Sequence, residues 1–592
     1  MSLFVGLNVE IDGRNPFHSI SGFSLTQSYD FHHHFSLRVP LDDIEEKGID
    51  NLDKSKSFIG KTIKIEIGGP PPGVQGSEVE YKKNQFNGVI TEIGMHRNCD
   101  MATELVLSGY SPTILLDHGA NTRQFNDMTL SSVVNSVVSK YPRDGISYKV
   151  SVSPDPKFDF LLQYRESSYN FLARLANLHG QWFYFNGKEC VFGRLESGEE
   201  HHLQFGSSLL DFHLGAKLKP SKFKTKAYDY VNNKQYDSGQ ANISGLDSLG
   251  KFAYDKSNSY FFEEQLYNSV RLMTSAGDVN DIAKFRRGTI VSDLVVMSGQ
   301  SENFMLNVGS SVNVKGPHSN DASKTIDYGT YTILKVTHVM DGSYNYQNSF
   351  EAIPSAVEIP PLINHVTYPV CEPQPAIVVD NNDPQKYGRI KIRFYWQDNA
   401  PSAWARVATP HGGNNRGISF VPEVNDEVLV AFEGNDPDQP VIIGSLYHGK
   451  ATQNDRHEQD NTIKTIRTIS GNEIKFNDKS GEEELTLINK DGSNQIVLSM
   501  KDNSITIQAK GKINIKAEEI NITADKDINI KGANINVNAQ QKISAEATSD
   551  LSLKGMNVDV NANANFKTDA KGQATITGVS FSATGQTTAE VK

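Results

Sequence analysis

The chain has 592 residues, more than one hydrophobic core normally holds, so several domains are expected. Its formal net charge of −12 and its sequence pI near 5.8 argue against a nucleic-acid-binding protein, which normally presents a basic face. The start lacks a basic segment before an apolar run, and no apolar stretch of about 18 residues occurs, so neither a signal peptide nor a membrane span is expected.

Residues 1–365 predict an α+β region in which strands predominate. Alternating apolar and polar side chains predict strands in FSLTQSYDFHHHFSLRV, KTIKIEI and TYTILKVTHVM. One helix is predicted from Leu130, after a capping Thr or Ser, and a second in SSYNFLARLANLHG, where Gly180 ends it. A third helix is predicted over residues 259–277, in SYFFEEQLYNSVRLMTSAG.

Residues 366–455 have the pattern of a small antiparallel barrel. In GRIKIRFYW, the apolar Ile390, Ile392, Phe394 and Trp396 alternate with Lys, Arg and Tyr, as in a half-buried strand. Further strands are predicted in AWARVA, EVLVAF and VIIGSLY, and the turn-forming sequences PHGGNNRG, PEVND and EGNDPDQP separate them. About five short strands in so short a segment favour an OB fold.

Residues 456–592 carry a short repeat, seen in KINIKAEEINITADKDINIKGANINVN from Lys512 to Asn538. An apolar position returns every seven or eight residues, and the residue two places further on shares its face because strand side chains alternate. The predicted inward positions are Ile505, Ile513, Ile520, Ile528, Ile535, Ile543, Leu551, Val558 and Phe566.

This repeat predicts a homotrimer. Each short strand has one apolar stripe, and its other face is polar, so a lone chain cannot bury the stripe. A turn after every seven or eight residues leaves length for only one side of a triangular prism. Three intertwined chains would supply all three sides, which predicts a triple-stranded β-helix needle over residues 456–592.

Three motifs together resemble the VgrG family, the trimeric spikes of type VI secretion systems, which are related to hub and spike proteins of contractile phage tails. VVDNNDPQKYGRIKIRFYW followed by PEVNDEVLVAFEGNDPDQPVIIGSLYHG is similar to the OB-domain signature of these spikes. LQYRESSYNFLARLANLHGQWFYF, residues 162–185, resembles the signature of their phage-hub-like head, and TIRTISGNEIKFND the lead-in to their needle.

The resemblance implies a mainly β homotrimer in which residues 1–365 form a hub-like head of β-barrels and helices. It implies that the head caps a tube of Hcp-like rings within a baseplate, and that the spike carries effectors without covalent linkage. It also implies synthesis in the cytoplasm without a signal peptide and export by sheath contraction, with puncture of a target envelope.

The tip of the needle is expected to need a second protein. No His follows His457, so the His-x-His iron site that closes some phage needles is excluded, and the resemblance implies a PAAR-type tip protein instead. Candidate docking residues are Ile576, Val579 and Phe581 in ATITGVSFSATG. The end of the chain at Lys592, soon after the repeat, suggests that no C-terminal effector domain follows.

No catalytic residue, metal site or cofactor is predicted. The run His32, His33 and His34 could place two ligands on one strand face, but a solvated or interface strand is favoured. The sequence GSLYHGKA has Ala451 where a phosphate loop needs Ser or Thr. The acidic segments DNNDP and NDPDQP lack the spacing of a calcium loop and predict turns. The three cysteines lie far apart, without metal-type spacing.

Two alternatives to a type VI spike stay open. One is the spike of a phage tail or an extracellular contractile injection particle. The other is a surface glycan-binding protein or hydrolase that uses the OB barrel, with Glu423, Glu427 and Glu433 as the available carboxylates. A barrel fold alone does not license that function, and Phe394, Trp396 and Trp404 are interpreted as core or trimer contacts.

Overall fold

The structure is a computed structural model that describes residues 3–45, 51–69, 82–97, 103–141, 146–196, 199–239, 243–318, 320–397, 400–453 and 459–585. The chain divides into two compact units, Met1–Asp455 and Arg456–Lys592. Among the described residues, strands outnumber helices in both units, as expected for a mainly β protein. No helix in the described ranges is long and apolar enough to cross a membrane.

The first unit is built on a 13-stranded sheet whose main path runs in the order β14-β18-β21-β20-β3-β4-β7-β6-β5-β2. The strands of the head, thirteen of which form this sheet, are β1 (Leu3–Phe4), β2 (Leu7–Ile11), β3 (Gly22–Ser28), β4 (His34–Pro40), β5 (Thr62–Ile67), β6 (Asn84–Arg97), β7 (Thr103–Tyr110), β8 (Asn121–Thr129), β9 (Ser147–Ser151), β10 (Lys157–Glu166), β11 (Trp182–Phe185), β12 (Glu189–Gly193), β13 (Glu200–Gln204), β14 (Leu209–Ala216), β15 (Phe223–Asp229), β16 (Lys234–Asp237), β17 (Gln265–Ser269), β18 (Val295–Ser301), β19 (Ser311–His318), β20 (Asp321–Asp341) and β21 (Asn345–Pro354).

Helices pack around these strands. They are α1 (Asp42–Glu45), α2 (Leu52–Ser55), α3 (Leu130–Val138), α4 (Ser168–His179), α5 (Ser248–Tyr260) and α6 (Ala276–Val291), with short 3₁₀ turns at Lys56–Phe58, Pro112–Asp117 and Glu433–Asn435. The predicted starts of α3 and α4 are confirmed, because Thr129 and Ser167 cap them through their side chains. Gly180 ends α4 in the left-handed region, with φ 61°, as predicted.

The predicted third helix over residues 259–277 is wrong. Helix α5 ends at Tyr260, and Gln265–Ser269 forms strand β17, which pairs in parallel with Phe223–Ala227. The next helix, α6, begins only after Ser275, where Ser275 and Asp278 form a capping box. Pairing with a strand about 40 residues earlier therefore outweighed the helical spacing of the apolar residues.

The predicted antiparallel OB barrel is a five-stranded sheet in the order β23-β22-β27-β28-β24. Its strands are β22 (Gln374–Asp380), β23 (Lys391–Phe394), β24 (Arg406–Val407), β27 (Glu427–Phe432) and β28 (Pro440–Leu446), and a separate hairpin pairs β25 (Gly412–Gly413) with β26 (Arg416–Gly417). Inward side chains form a core with Phe160, Leu162 and Tyr164 of β10, so head and barrel share one hydrophobic cluster. Trp396 lies beyond β23 but stacks on Phe394, with ring centroids 5.3 Å apart.

The second unit begins with an antiparallel meander of five strands. These are β29 (Ile463–Arg467), β30 (Glu473–Asn477), β31 (Glu484–Ile488), β32 (Gln495–Ser499) and β33 (Ser504–Gln508), paired in chain order. Ile505, the first of the predicted inward positions, lies in β33 opposite Leu498. From residue 509 to 585 no strand or helix is assigned, and every side chain from residue 510 to 585 is exposed.

Candidate functional site

The repeat leaves its predicted inward side chains without cover in a single chain. All nine are exposed, from 51% for Ile513 to 72% for Ile505. Their partners two residues on are also exposed, at 74% for Ile515 and 73% for Ile530. Soluble monomers rarely expose a continuous apolar stripe of this extent, so cover by other protein stays the prediction for these residues.

The meander continues this apolar surface towards the N-terminus. Its register aligns Ile466, Ile474, Leu487, Ile496 and Ile507 across the five strands. The side chains two residues away on β30 to β33 share that face, and they are Phe476, Leu485, Leu498 and Ile505. The opposite face is mostly Lys, Glu, Thr, Gln and Ser, so one side of the sheet is apolar and the other polar.

The proposed docking residues Ile576, Val579 and Phe581 are all exposed, by 76%, 109% and 65%. They lie in the last described stretch of the chain, which ends at residue 585. Their exposure provides apolar surface for a partner, and their role stays a prediction.

A largely buried ion pair joins the head to the barrel. Arg271, in the segment before α6, donates from Nε to Asp436 Oδ2 at 3.0 Å and from Nη2 to Asp438 Oδ2 at 2.9 Å. Asp438 Oδ1 also accepts the backbone N–H of Leu162 in β10, at 2.7 Å. Burial raises the pKa of Asp438 to about 6, although the guanidinium of Arg271 opposes that shift. The segment NDPDQP is therefore a turn, as predicted, and also an anchor for the head.

The hub-like motif LQYRESSYNFLARL is built around a second buried pair. Arg174 of α4 reaches back to Glu166 at the end of β10, with Nη2 2.8 Å from Oε1, and both side chains are almost fully buried. The same Nη2 donates to the carbonyl of Leu162 at 3.0 Å. Gln163 donates to the carbonyl of Glu166 and accepts from Arg123. These contacts fix the turn between β10 and α4, which explains why the motif needs those polar residues.

The acidic segment DNNDP has a structural use. Asp383 pairs bidentately with Arg389, with Nη2 2.8 Å from Oδ1 and Nε 3.0 Å from Oδ2. It also accepts backbone N–H groups from Gln385, Tyr387 and Arg389. Arg389 and these backbone donors hold the pKa of Asp383 well below its usual range.

Only part of the histidine run lies on the expected solvated or interface strand. His32 and His33 are buried, and only His34 belongs to a strand and is exposed. His32 Nδ1 lies 2.9 Å from Thr113 Oγ1, and the ring of His33 packs against Phe86 and Phe185. Burial lowers the pKa of His32 to about 4 and that of His33 to about 3, so both are neutral at pH 7. No cluster of three His, Cys, Asp or Glu side chains that could hold a metal ion occurs in the described ranges.

The carboxylates considered for hydrolysis have separate partners. Glu423 accepts from Asn381, Glu427 from the hydroxyl of Tyr395 at 2.7 Å, and Glu433 from Arg406. The segment GSLYHGKA leaves β28 and forms a bridge between His448 and Ala451, and the next described element is strand β29 rather than a helix. The arrangement is not that of a phosphate loop.

Sequence reasoning missed the Arg271 anchor and the burial of His32 and His33. Arg271 lies 165 residues before Asp436, and no local pattern links the two. The capping box of α6 did have a local signal, Ser-Ala-Gly-Asp, that would have placed the helix correctly.

Comparison with known proteins finds two families. The family of the phage tail baseplate hub matches residues 35–344, and that of the type VI secretion system/phage-baseplate injector OB domain matches residues 374–447. The second match falls within the predicted barrel, residues 366–455.

Curated relatives are distant. The type VI secretion system spike protein VgrG5 of Pseudomonas aeruginosa is 22% identical over 427 residues, which cover 64% of this chain and 53% of the relative. The spike protein VgrG1a of the same organism is 22% identical over 451 residues, 68% of this chain and 66% of the relative. The actin cross-linking toxin VgrG1 of Vibrio cholerae is 25% identical over 429 residues, 62% of this chain and 36% of the toxin. The chain thus spans about half the length of several of the relatives it matches.

Solved structures show the same fold. A chain of the Francisella PdpA-VgrG complex, in its lidded form, superposes with a TM-score of 0.53 at 10% identity, over 85% of this chain and 80% of that chain. The lidless form superposes with a TM-score of 0.52 at 10% identity, over 85% of this chain and 98% of that chain. The resemblance to VgrG spikes is thereby confirmed. Because the hub family matches more than half of the sequence, this chain belongs to the phage tail baseplate hub family, and it carries the injector OB domain as well.

Proposed function

We propose that this protein is a non-enzymatic homotrimeric spike of a type VI secretion system. Its head caps the Hcp-like inner tube, and its needle punctures the target envelope and delivers effectors carried on the tip. The chain is made in the cytoplasm, assembles on the baseplate and leaves the cell by sheath contraction.

One observation carries the proposal: the exposed apolar stripe of residues 505–566 follows a hub-family head and an injector OB domain in the same chain. The stripe needs cover along its whole length, and identical stripes on two further copies provide it with matching spacing. The polar positions between its apolar residues, such as Lys516 and Glu518, would then face water and keep the needle soluble.

A mechanical role also fits the buried polar groups. Glu166, Asp383 and Asp438 are each bound to an arginine, which is the arrangement of structural ion pairs. Work on the target would come from sheath contraction, and the spike would supply rigidity. The relative with a toxin name is much longer than its matched part, so its cross-linking activity is not transferred to this chain.

The partners implied by this role are the tube rings, baseplate components and a PAAR-type tip protein. The exposed side chains of Ile576, Val579 and Phe581 would meet the tip protein. A phage tail or an extracellular injection particle would use the same head and barrel, and the particle that co-purifies with the native protein would decide between these settings.

The mass of the full-length chain in solution tests the proposal. A trimer near three times 65.5 kDa is expected by native mass spectrometry and by light scattering. A stable monomer at the chain mass would overturn the spike assignment. Purified protein that degrades peptidoglycan, and that loses this activity in Glu423→Ala or Glu427→Ala, would favour the hydrolase instead.

A further inference from the structure

Strand β17 of the head is a free edge of the three-stranded sheet β16-β15-β17. On its inner side it pairs in parallel with β15, where the N–H of Gln265 donates to the carbonyl of Lys222 at 3.1 Å. Since backbone groups point alternately to the two sides of a strand, those of Leu266 and Asn268 point away from β15. In the described part of the chain, no hydrogen bond reaches these outward N–H and C=O groups.

This edge lacks the features that normally keep sheet edges from pairing with other chains. Native edges carry lysine, proline or a bulge. The sequence of β17, QLYNS, has no charged residue and no proline, and its register with β15 has no shift. Its first four residues are exposed, Leu266 by 64% and Tyr267 by 37%. The opposite edge, β16, does carry charge, on Lys234 and Asp237.

A cation without an acidic partner lies beside the same edge. The guanidinium of Arg286 in α6 stacks on the ring of Tyr267, with Cζ 3.9 Å from the ring centroid. Within the described ranges Arg286 forms no ion pair, whereas Lys224 of β15 pairs with Asp237 at 2.7 Å. Stacking on the aromatic ring orients the guanidinium and leaves its N–H donors available to an anion. Because strand side chains alternate, Leu266 lies on the other face of the sheet.

From the open backbone row and the stacked cation we infer that β17 binds an extended segment of another protein, which joins the sheet as a further strand. The backbone of that segment would pair with Leu266 and Asn268. On the α6 side it would place an Asp or Glu side chain at Arg286, and on the other face an apolar side chain beside Leu266. Strand addition of this kind takes its affinity from the backbone and its specificity from alternate side chains.

The edge favours this occupant over others on chemical grounds. Only an extended backbone presents donors and acceptors at the spacing of a strand edge, and only an acidic side chain complements Arg286. A second β17 edge is disfavoured, because antiparallel pairing about a twofold axis would bring two copies of Arg286 to the same face. The inference concerns the head of one chain and does not depend on the proposed trimer.

Selection from a library of random short peptides displayed on phage tests the inference, with the full-length protein as bait. The comparison protein is Leu266→Pro, which removes one outward N–H and keeps the pairing with β15 that Gln265 and Tyr267 make. Peptides in which acidic and apolar residues alternate should be enriched on the unchanged protein. Leu266→Pro should weaken their binding by about tenfold or more, because a hydrogen bond is lost and the ring obstructs the edge. A selection without such peptides, or equal binding to both proteins, would overturn the inference.

The expected acidic residue is tested by charge reversal. A selected peptide is compared with its counterpart that carries Lys in place of the acidic residue. Arg286→Glu should reverse the preference for the acidic peptide. Lys284→Glu makes the same change at another exposed position of α6 and should leave the preference unchanged. An acidic preference that persists in Arg286→Glu would contradict the inference.

Hydrogen exchange of the unchanged protein tests the location without any variant. The backbone amides of residues 265–269 should exchange more slowly when a selected peptide is bound, and unchanged exchange there would overturn the inference. If Leu266→Pro folds but loses the trimer, the occupant is a second copy, which also overturns it. A monomeric protein that still binds the peptides at β17 would overturn the proposed function and leave this contact intact.

Discussion

Arg271 and Asp438 form an ion pair of 2.9 Å that ties the hub-like head to the OB domain, and the aspartate is 5% exposed. The same aspartate receives the backbone N–H of Leu162, so one carboxylate links the segment before α6, strand β10 and the turn before β28. In a protein proposed to transmit force along its axis, such a joint would resist separation of head and barrel.

We expect Arg271→Gln to destabilise this joint strongly. The substitution leaves Asp436 and Asp438 together without their cation, and removal of one partner from a buried pair costs about 3 kcal/mol or more. Arg406→Gln is the matched control, because its pair with Glu433 is at the surface and should change stability by less than about 1 kcal/mol. The melting temperature and the protease sensitivity of the two full-length variants would be compared. Equal losses of stability in the two variants would mean that the Arg271 pair stabilises the protein no more than the surface pair does.

The buried histidines predict a loss of stability in acid. Burial lowers the pKa of His32 to about 4 and those of His33, His179 and His338 to about 3, all below the ordinary value of 6.5. At pH values between 6.5 and these lowered pKa values, the histidines of the unfolded chain bind protons that those of the folded chain exclude. Their stabilisation is therefore complete above pH 6.5 and decreases as the pH falls towards 4 to 3, by up to about 1.4 kcal/mol per pH unit for each group.

Melting temperatures from pH 7.5 to pH 5 would measure this loss. His33→Leu should reduce the slope by about one proton, because it removes one of the four groups and keeps the apolar packing against Phe86 and Phe185. An unchanged slope in that variant would show that His33 is already protonated in the folded protein.

The features that could be predicted from the sequence are those with local signals. Helix α4 lies within the predicted segment SSYNFLARLANLHG and ends at Gly180 as predicted, while its cap at Ser167 is a finding of the structure. The strands of the OB barrel follow alternating patterns separated by strong turn residues. The repeat after residue 505 was visible because its period is regular.

Features that depend on distant residues could not be predicted. Strand β17 has helical spacing in its own sequence, and only the partner strand at Phe223–Ala227 makes it extended. The burial of His33 depends on Phe86 and Phe185, which lie far along the chain. Tertiary contacts of this kind outweigh local preference, and one sequence does not contain the pairing information.

Gly180 provides a test of a tight backbone position. Its φ of 61° is unfavourable for other residues, and a Cβ there would lie 2.7 Å from Cδ1 of Phe285 in α6. We expect Gly180→Ala to cost more than about 1 kcal/mol, from strain and from displacement of the ring. Gly13→Ala is the control, since it has φ +73° but no atom within 4 Å of its Cβ. A larger decrease in melting temperature for the Gly180 variant would measure the steric cost of the Cβ against Phe285. Equal decreases in the two variants would show that α6 moves to accommodate the Cβ.

The needle prediction is tested most directly at Ile528, whose side chain is 53% exposed in the single chain. If three copies bring this position to a common axis, Ile528→Asp places three carboxylates together in an apolar interior, which is very costly without partners. Asn529→Asp adds the same charge one residue further on, where the alternation of a strand points the side chain to water. We therefore expect the Ile528 variant to lose the trimer in native mass measurements and in resistance to dissociation by detergent, while the Asn529 variant keeps it. Equal trimer stability in both variants would mean that the inward face has been assigned wrongly, and loss in both would mean that charge at any position of this turn is harmful.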